Sequence, residues 1–232
     1  MLSSLPKASA TQRTVLRDPV ALALAVVAWS GVLLQLWLSL RLAQTNGKSL
    51  AGGLLVYFGY FTVLTNIFVA LQVTSKAFAG LNWICQFFAR PQTMACGATS
   101  IALVGLGYHF LLRHIWNPEG LQWLADMVLH YVVPVAFCLY WLLAVPKASL
   151  RWWSPLAWCI YPVVYFAYAL VRGVALGEYP YPFIDVTAIG YGQALRNALG
   201  LLIAFVIVGW FLLAIGRAIE HYKKRSSHNA GA

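Results

Sequence analysis

Charged residues are scarce in this chain of 232 residues: they make up 9% of it, with 16 basic and only 6 acidic side chains. An average soluble domain of this length carries about 58 charged residues. A water-exposed surface cannot be built from so few, and hydrophobic residues account for 61% of the chain. The composition excludes an ordinary soluble protein and predicts an all-α integral membrane protein.

Cysteine is also scarce, with four residues and no CxxC pair or Cys/His cluster. This pattern gives no signal for a disulfide framework or a zinc site, so we expect no metal and no cofactor. A net charge of +10 would suggest nucleic-acid binding in a soluble chain. Here the basic residues lie in short loops between apolar stretches. Membrane topology and anionic lipid explain them, and no nucleic-acid partner is expected.

Six apolar stretches are long enough, or nearly long enough, to cross a bilayer as helices. They predict spans at residues 20–41, 50–73, 95–112, 123–145, 156–173 and 198–217. We expect one transmembrane domain over residues 20–217, with a tail at 1–19 and a basic tail at 218–232. Lys and Arg are more numerous on the side that carries both tails, eleven against five. The positive-inside rule therefore predicts that both termini are cytoplasmic.

The second span carries polar residues in the middle of an apolar stretch. Thr62, Thr65 and Asn66 follow helical spacing and share one helix face. Polar groups in hydrocarbon are costly, and they usually face a cavity or bond to a neighbouring helix. The three side chains therefore either hold helices together or line a site.

The fourth span carries Asp126 and His130 one helical turn apart, a spacing at which the two side chains can hydrogen-bond. A carboxylate partner fixes the tautomer of an imidazole and raises its basicity. The simpler interpretation is that the imidazole forms its hydrogen bonds to a neighbouring helix. Histidine within a span is rare, however, and usually functional. Thr62 lies roughly 18 Å and His130 roughly 10 Å below the same membrane face, so helix tilt can bring them together.

The fifth span presents Tyr161, Tyr165, Tyr168 and Arg172 as one stripe that ends in a cation near the predicted outer surface. The stripe can line a substrate cavity in which Arg172 binds an anionic head group or a carboxylate. The alternative is packing of the tyrosines with a snorkelling arginine. The loop at 178–185 alternates proline with aromatic residues and is a lid or an interfacial anchor; we favour the anchor.

Three short motifs resemble a known group of membrane proteins. They are Tyr60-Phe-Thr-Val-Leu-Thr-Asn66, His130-Tyr-Val-Val-Pro134 and Tyr179-Pro-Tyr-Pro-Phe-Ile-Asp185. From about Val20 to Arg217, the chain resembles a bacterial group of uncharacterised six-span membrane proteins. That group is similar, more distantly, to the androgen-induced and androgen-dependent membrane hydrolases of fatty acid esters of hydroxy fatty acids.

The resemblance implies an intramembrane threonine nucleophile and histidine base, which Thr62 and His130 match by motif. A threonine hydroxyl becomes an effective nucleophile when a base takes its proton, and histidine suits that task. Asp126 would orient His130, and Asn66 or Tyr165 would donate hydrogen bonds to the oxyanion. The expected partner is a membrane lipid ester, and the bacterial resemblance implies a prokaryotic plasma membrane.

Two other functions stay open at this stage. A small transporter or lipid-binding protein would use the same polar residues to line a cavity, without a covalent intermediate. Many transporters contain an internal repeat that relates one half of their spans to the other, and this sequence shows no repeat between the first three spans and the last three. A b-type haem protein ligated by His109 and His130 is the third. Multi-haem membrane cytochromes need more intramembrane histidines than these two.

Overall fold

The computed structural model describes residues 18–78 and 82–230, with side chains as far as residue 226. Within these ranges the chain folds into a bundle of helices, as the composition predicts. Residues 1–17 of the predicted N-terminal tail, including its basic side chains, lie outside the described residues.

Ten α-helices follow one another along the described chain. They are α1 (Pro19–Thr45), α2 (Leu50–Tyr57), α3 (Phe61–Ala77), α4 (Trp83–Phe88), α5 (Pro91–Gly107), α6 (Gly120–Met127), α7 (Val133–Ala144), α8 (Ser154–Trp158), α9 (Ile160–Leu176) and α10 (Val186–Ala230). A π-helical turn at Tyr108–Leu112 extends α5, and a second at Val128–Val132 joins α6 to α7. A 3-10 turn at Pro182–Ile184 precedes α10.

Among the described residues, five helical segments are long and apolar enough to cross a membrane. They are Pro19–Thr45, Pro91–Leu112, Gly120–Ala144, Ser154–Leu176 and Val186–Ser226. The pair α2 and α3 reaches that length only when the two helices are taken together. The chain is therefore a polytopic, all-α membrane protein with five to six spans within residues 18–78 and 82–230, and each predicted stretch corresponds to one of these segments.

The second predicted span, 50–73, is not one straight helix. α2 ends at Tyr57, α3 begins at Phe61, and the axes of the two helices are bent by 79°. The expectation of a continuous helix was wrong, because side chains of α9 bond to the backbone at this break. Irregular backbone is tolerated at membrane depth only where protein buries it or where it lines a cavity.

Small residues hold α1 close to its neighbours. Ala21, Ala25 and Ala28 recur at helical spacing and form a buried face of α1, which packs against α3. A Cβ added at Gly31 would lie 2.6 Å from Cγ1 of Val128, so glycine permits the approach of the fourth span. Small residues that let backbones approach are typical of helix interfaces in membranes.

α10 is longer than the predicted sixth span at both ends. It runs for 45 residues and continues through most of the segment that the sequence predicts as a basic tail. Near its start Gly190 has φ of 73°, a left-handed value that favours glycine and kinks the helix.

Candidate active site

Arg172, predicted from the sequence to bind an anionic group, contacts the broken second span. Its Nε donates to the Leu55 carbonyl at 3.1 Å, and its Nη1 donates to the Glu178 carbonyl at 2.9 Å. A Cβ added at Gly59 would lie 2.8 Å from the guanidinium carbon, so the chain passes the arginine at close range. The buried guanidinium thereby joins α2, α9 and the loop that follows α9.

Two tyrosines of the same stripe bond to the residues of the break itself. The hydroxyl of Tyr165 donates to the Gly59 carbonyl at 3.0 Å, and that of Tyr168 donates to the Phe58 carbonyl at 3.2 Å. The last carbonyls of a helix have no partner within it and need donors from elsewhere. The polar stripe on α9 therefore satisfies the backbone that the break leaves open.

Thr65 and Tyr161 form a separate contact one turn deeper. Their hydroxyl oxygens are 3.1 Å apart. Neither side chain lines the cavities described below. The structure therefore gives this pair of predicted site residues a place in the packing between α3 and α9.

Thr62 lies in the first turn of α3, which the break exposes inside the bundle. The N–H groups of a first helical turn have no partner within the helix, and the helix dipole favours negative charge near them. The N–H of Thr62 donates to the Tyr181 hydroxyl oxygen at 3.3 Å, and that oxygen lies 3.4 Å from Thr62 Oγ1. In a continuous second span, this N–H would donate to a carbonyl of the preceding helical turn and could not bond to Tyr181.

His130 and Asp126 form the contact that their spacing predicts. Nδ1 of the imidazole lies 3.2 Å from Oδ1 of Asp126 and 3.1 Å from its carbonyl oxygen. The imidazole also stacks on the ring of Tyr108, with centroids 4.1 Å apart and planes inclined by 20°. A neutral histidine that donates from Nδ1 has its lone pair on Nε2, so this arrangement fixes the nitrogen that can accept a proton.

Both rings of this stack belong to π-helical turns, which are rare and often occur at functional sites. Gly105, in α5 just before the first of these turns, lets α5 approach the second turn and the start of α7. A Cβ added there would lie 3.1 Å from the His130 carbonyl oxygen and 3.3 Å from Cβ of Pro134. The position of the imidazole thus depends on a close helix contact behind it.

Asn66 holds α3 against the turn that carries His130. Its Nδ2 donates to the Thr62 carbonyl at 2.9 Å and to the Leu129 carbonyl at 3.2 Å. Its Oδ1 is buried without a hydrogen-bond partner among the described residues. Both amide protons are used, so in this arrangement Asn66 has no proton left for the oxyanion role predicted from the sequence.

Two cavities meet at Thr62. The polar cavity, named for the groups that distinguish it, has a volume of about 430 Å³ and is lined by His130, Asp126 and further polar side chains together with aliphatic ones. The apolar cavity has a volume of about 300 Å³ and is lined almost entirely by aliphatic and aromatic side chains of α3, α5, α9 and α10. Four residues line both cavities: Thr62, Tyr108, Leu112 and Tyr181.

Thr62 and His130 share the polar cavity without touching in this structure. No hydrogen bond joins them within the part of the chain that the structure describes, and the hydroxyl partner of Thr62 is Tyr181. Catalytic hydrogen bonds are often long before substrate binds. His109, by contrast, lines neither cavity; its ring contacts Tyr131 and Arg113.

Tyr181 lies at the candidate site although the sequence does not single it out, because the alternation of proline and aromatic residues at 178–185 favours an interfacial anchor. That interpretation is wrong for the centre of the loop: Tyr181 is 9% exposed and Ile184 is 2% exposed. The ring of Tyr181 stacks on Phe183 with centroids 5.0 Å apart and meets Tyr60 edge-on at 5.7 Å. Prolines on both sides of Tyr181, which stiffen the segment, were the available signal.

An ion pair lies at the loop end of the polar cavity. Nζ of Lys48 is 2.8 Å from Oε1 of Glu178, and both side chains are about half exposed, at 47% and 55%. The hydrogen bond from Lys48 lowers the pKa of the Glu178 carboxyl. The polar cavity therefore extends from the Asp126–His130 pair to a charged, accessible rim.

No protein-family model, curated protein or solved structure matches this chain. Function is therefore inferred from the chemistry of the site. A hydroxyl at a helix N-terminus, an imidazole paired with a carboxylate, and a tyrosine hydroxyl lie around two adjoining cavities. That set of groups can carry out nucleophilic acyl transfer.

Proposed function

We propose that this chain is an integral membrane esterase that hydrolyses fatty acid esters, of the hydroxy fatty acid type, with Thr62 as nucleophile and His130 as general base. The observation that carries the proposal is the position of Thr62 on the wall between the polar and the apolar cavity. A lipid esterase needs a polar chamber for the chemistry beside an apolar chamber for the chain. The resemblance of the Thr62 and His130 motifs to membrane lipid hydrolases supports the same assignment.

Acylation begins when Nε2 of His130 takes the proton of the Thr62 hydroxyl, while Asp126 holds Nδ1. Thr62 Oγ1 forms a bond to the ester carbonyl carbon, and the carbonyl π electrons move to oxygen to give a tetrahedral oxyanion. The oxyanion collapses, the bond to the alcohol oxygen breaks, and His130 returns its proton to that oxygen. The alcohol leaves, and the acyl group stays on Thr62 as an ester.

Tyr181 and the first turn of α3 supply the stabilisation of the oxyanion. The Tyr181 hydroxyl accepts from the Thr62 N–H and lies 3.4 Å from Thr62 Oγ1. Its proton is not bound to a backbone carbonyl of the described residues, so it can turn to the negative charge that develops beside Thr62. It takes the role predicted for Asn66 and Tyr165, whose protons are bound to backbone carbonyls. Donors fixed in advance, together with the positive end of a helix dipole, are the usual source of such stabilisation.

Deacylation uses a water molecule from the polar cavity. His130 takes one proton from that water as its oxygen attacks the acyl-threonine carbonyl. The second tetrahedral intermediate collapses, Thr62 Oγ1 leaves and recovers the proton from His130, and the free acid departs. No metal or other cofactor takes part in the proposed cycle.

We further propose that the protein lies in a prokaryotic plasma membrane with both termini in the cytoplasm. The excess of Lys and Arg on the side of the two tails supports this orientation. In that orientation the rim of the polar cavity at Lys48 and Glu178 opens to the outside.

The test is hydrolysis by the full chain purified into nanodiscs, with a fatty acid ester of a hydroxy fatty acid and a p-nitrophenyl ester as substrates. Thr62→Ala and His130→Ala should each lose about a hundredfold or more in kcat. The matched control is Thr65→Ala, which removes a threonine of the same helix face outside both cavities, and it should keep most activity. Thermal unfolding checks that each variant is folded.

A small transporter or lipid-binding protein is the alternative that this test separates. A fluorophosphonate or activated-ester probe should label wild type at Thr62, located by peptide mass spectrometry, and should not label Thr62→Ala. Wild type that binds lipid but neither hydrolyses esters nor takes the label would contradict the esterase and support the alternative.

A further inference from the structure

The apolar cavity is open towards the lipid side of the bundle. Leu195 and Leu199 of α10 line it and are 54% and 58% exposed. α9 lines the opposite side, and α9 and α10 make few contacts with each other. An exposed leucine wall beside a loosely packed helix pair gives an aliphatic chain a lateral path from the hydrocarbon to Thr62.

The polar cavity offers hydrogen bonds along its length. Nε2 of Gln122 donates to Oε1 of Gln35 at 2.8 Å, and Ser39 and Asn46 line the same cavity. Its rim carries the half-exposed Lys48–Glu178 pair described above. An alcohol with hydroxyl or carboxylate groups can bond to these side chains and leave along them towards water.

We infer, on the basis of the proposed function, that the substrate is an ester of one aliphatic acyl chain with a polar alcohol. Each half of the substrate occupies one cavity, and the scissile bond lies between them. The acyl chain enters between α9 and α10 and lies in the apolar cavity. The alcohol lies in the polar cavity and departs past Lys48 and Glu178. The ester carbonyl lies at Thr62, where the cavities meet.

The reverse arrangement is disfavoured by desolvation. A polar alcohol in the apolar cavity would lose its hydrogen bonds to water without replacement. A wholly aliphatic acyl chain in the polar cavity would displace water from Gln122, which bonds to Gln35, and from Gln35, which also bonds to Ser39, and it would offer no hydrogen bond in return. Sites built to hydrogen-bond a substrate discriminate strongly against analogues that lack the bonding group.

The alcohol side is tested with two laurate esters, glyceryl monolaurate and pentyl laurate, whose alcohols have equal numbers of non-hydrogen atoms. Wild type in nanodiscs should show a kcat/KM about tenfold higher for the glyceryl ester. Gln122→Leu should reduce that ratio. Gln193→Leu, which alters an exposed glutamine of α10 outside both cavities, should leave it unchanged.

The acyl side is tested with glyceryl esters of butyrate and palmitate. Leu199→Trp narrows the apolar cavity at a lipid-facing position, and it should lower the palmitate-to-butyrate ratio of kcat/KM about tenfold. Ile203→Trp, one turn further along α10 and 53% exposed but outside the cavity, should not.

The outcomes separate the two proposals. If wild type hydrolyses the two laurates equally fast, the proposed placement of the substrate is wrong but the esterase function stands. The same holds if Leu199→Trp leaves the palmitate-to-butyrate ratio unchanged. Failure of wild type to hydrolyse any ester would overturn the proposed function, and this inference with it.

Discussion

The hydroxyl oxygen of Tyr181 lies 3.3 Å from the backbone nitrogen of Thr62 and 3.4 Å from its Oγ1, although 119 positions separate the two residues along the chain. This contact exists because the second span breaks and begins again at Phe61. The break turns a threonine in an apolar stretch into a threonine at a helix N-terminus. A loop tyrosine can then reach it beside two cavities.

Tyr181→Phe removes the hydroxyl and keeps the ring that packs on Tyr60 and Phe183. We expect kcat to fall about a hundredfold, with a much smaller change in KM, because the donor acts on charge that develops in the transition state. The control is Tyr179→Phe, in the same loop, whose ring lies against Gly173 and outside both cavities. Equal rates for the two variants would remove Tyr181 from the mechanism.

Much of the fold could be predicted because its signals are local. Apolar stretches of about twenty residues mark spans wherever they occur. The contact between Asp126 and His130 follows from helix spacing alone. The helical bundle and the Asp126–His130 part of the candidate site can therefore be predicted from the sequence.

The break in the second span cannot be predicted in this way. Residues 50–73 contain no proline and no charged side chain that would mark an interruption. The donors that stabilise it lie more than a hundred positions later, at Tyr165 and Arg172. Because the interruption depends on tertiary hydrogen bonds, the sequence identifies Tyr165 and Arg172 as possible donors but does not identify the backbone carbonyls that accept from them. The contact between Tyr181 and Thr62 cannot be predicted for the same reason.

Asp126→Asn tests whether the carboxylate positions the imidazole. An amide of nearly the same shape can donate to Nδ1 and favour the tautomer that carries its proton on Nε2, which cannot act as a base. We expect kcat to fall about a hundredfold while the lipid ester still binds. Glu119→Gln, which neutralises an acidic residue just before the same helix, is the matched control. An Asp126→Asn enzyme with an unaltered pH–rate profile would show that Asp126 does not act through His130.

Arg172→Ala distinguishes the two interpretations of that residue. Loss of the buried guanidinium leaves the Leu55 and Glu178 carbonyls without this donor, and each lost hydrogen bond costs about 1 kcal/mol. We expect a lower midpoint of thermal unfolding and an equal loss of activity on esters with and without a free carboxylate. Arg172→Lys should recover only part of the stability, because one ammonium cannot reproduce the two directed bonds. A loss confined to carboxylate-bearing esters would instead support the anion-binding role.

Lys147 lies beyond the end of α7 and is buried beneath α10. Its Nζ donates to the carbonyls of Trp141 and Leu142 at 2.7 and 2.6 Å and lies 4.7 Å from the centroid of the Trp141 ring. A Cβ added at Gly216 would lie 2.7 Å from Cε of the lysine, so glycine makes room for it. The lysine thus satisfies the open carbonyls of α7 and fastens the loop to α10.

The titration of Lys147 should appear in the stability of the protein. Burial lowers the pKa of Lys147 from 10.5 to about 8; Glu220 opposes this shift and Lys223 adds to it. Below pH 8 the amine is protonated in both the folded and the unfolded chain, whereas between pH 8 and 10.5 the unfolded chain holds more protons. Stability therefore rises with pH across that window. The midpoint of thermal unfolding in detergent should rise with pH in wild type relative to Lys147→Met, which keeps a long side chain without the titrating group. Curves for the two proteins that run parallel from neutral to alkaline pH would show that Lys147 has its ordinary pKa in the folded protein.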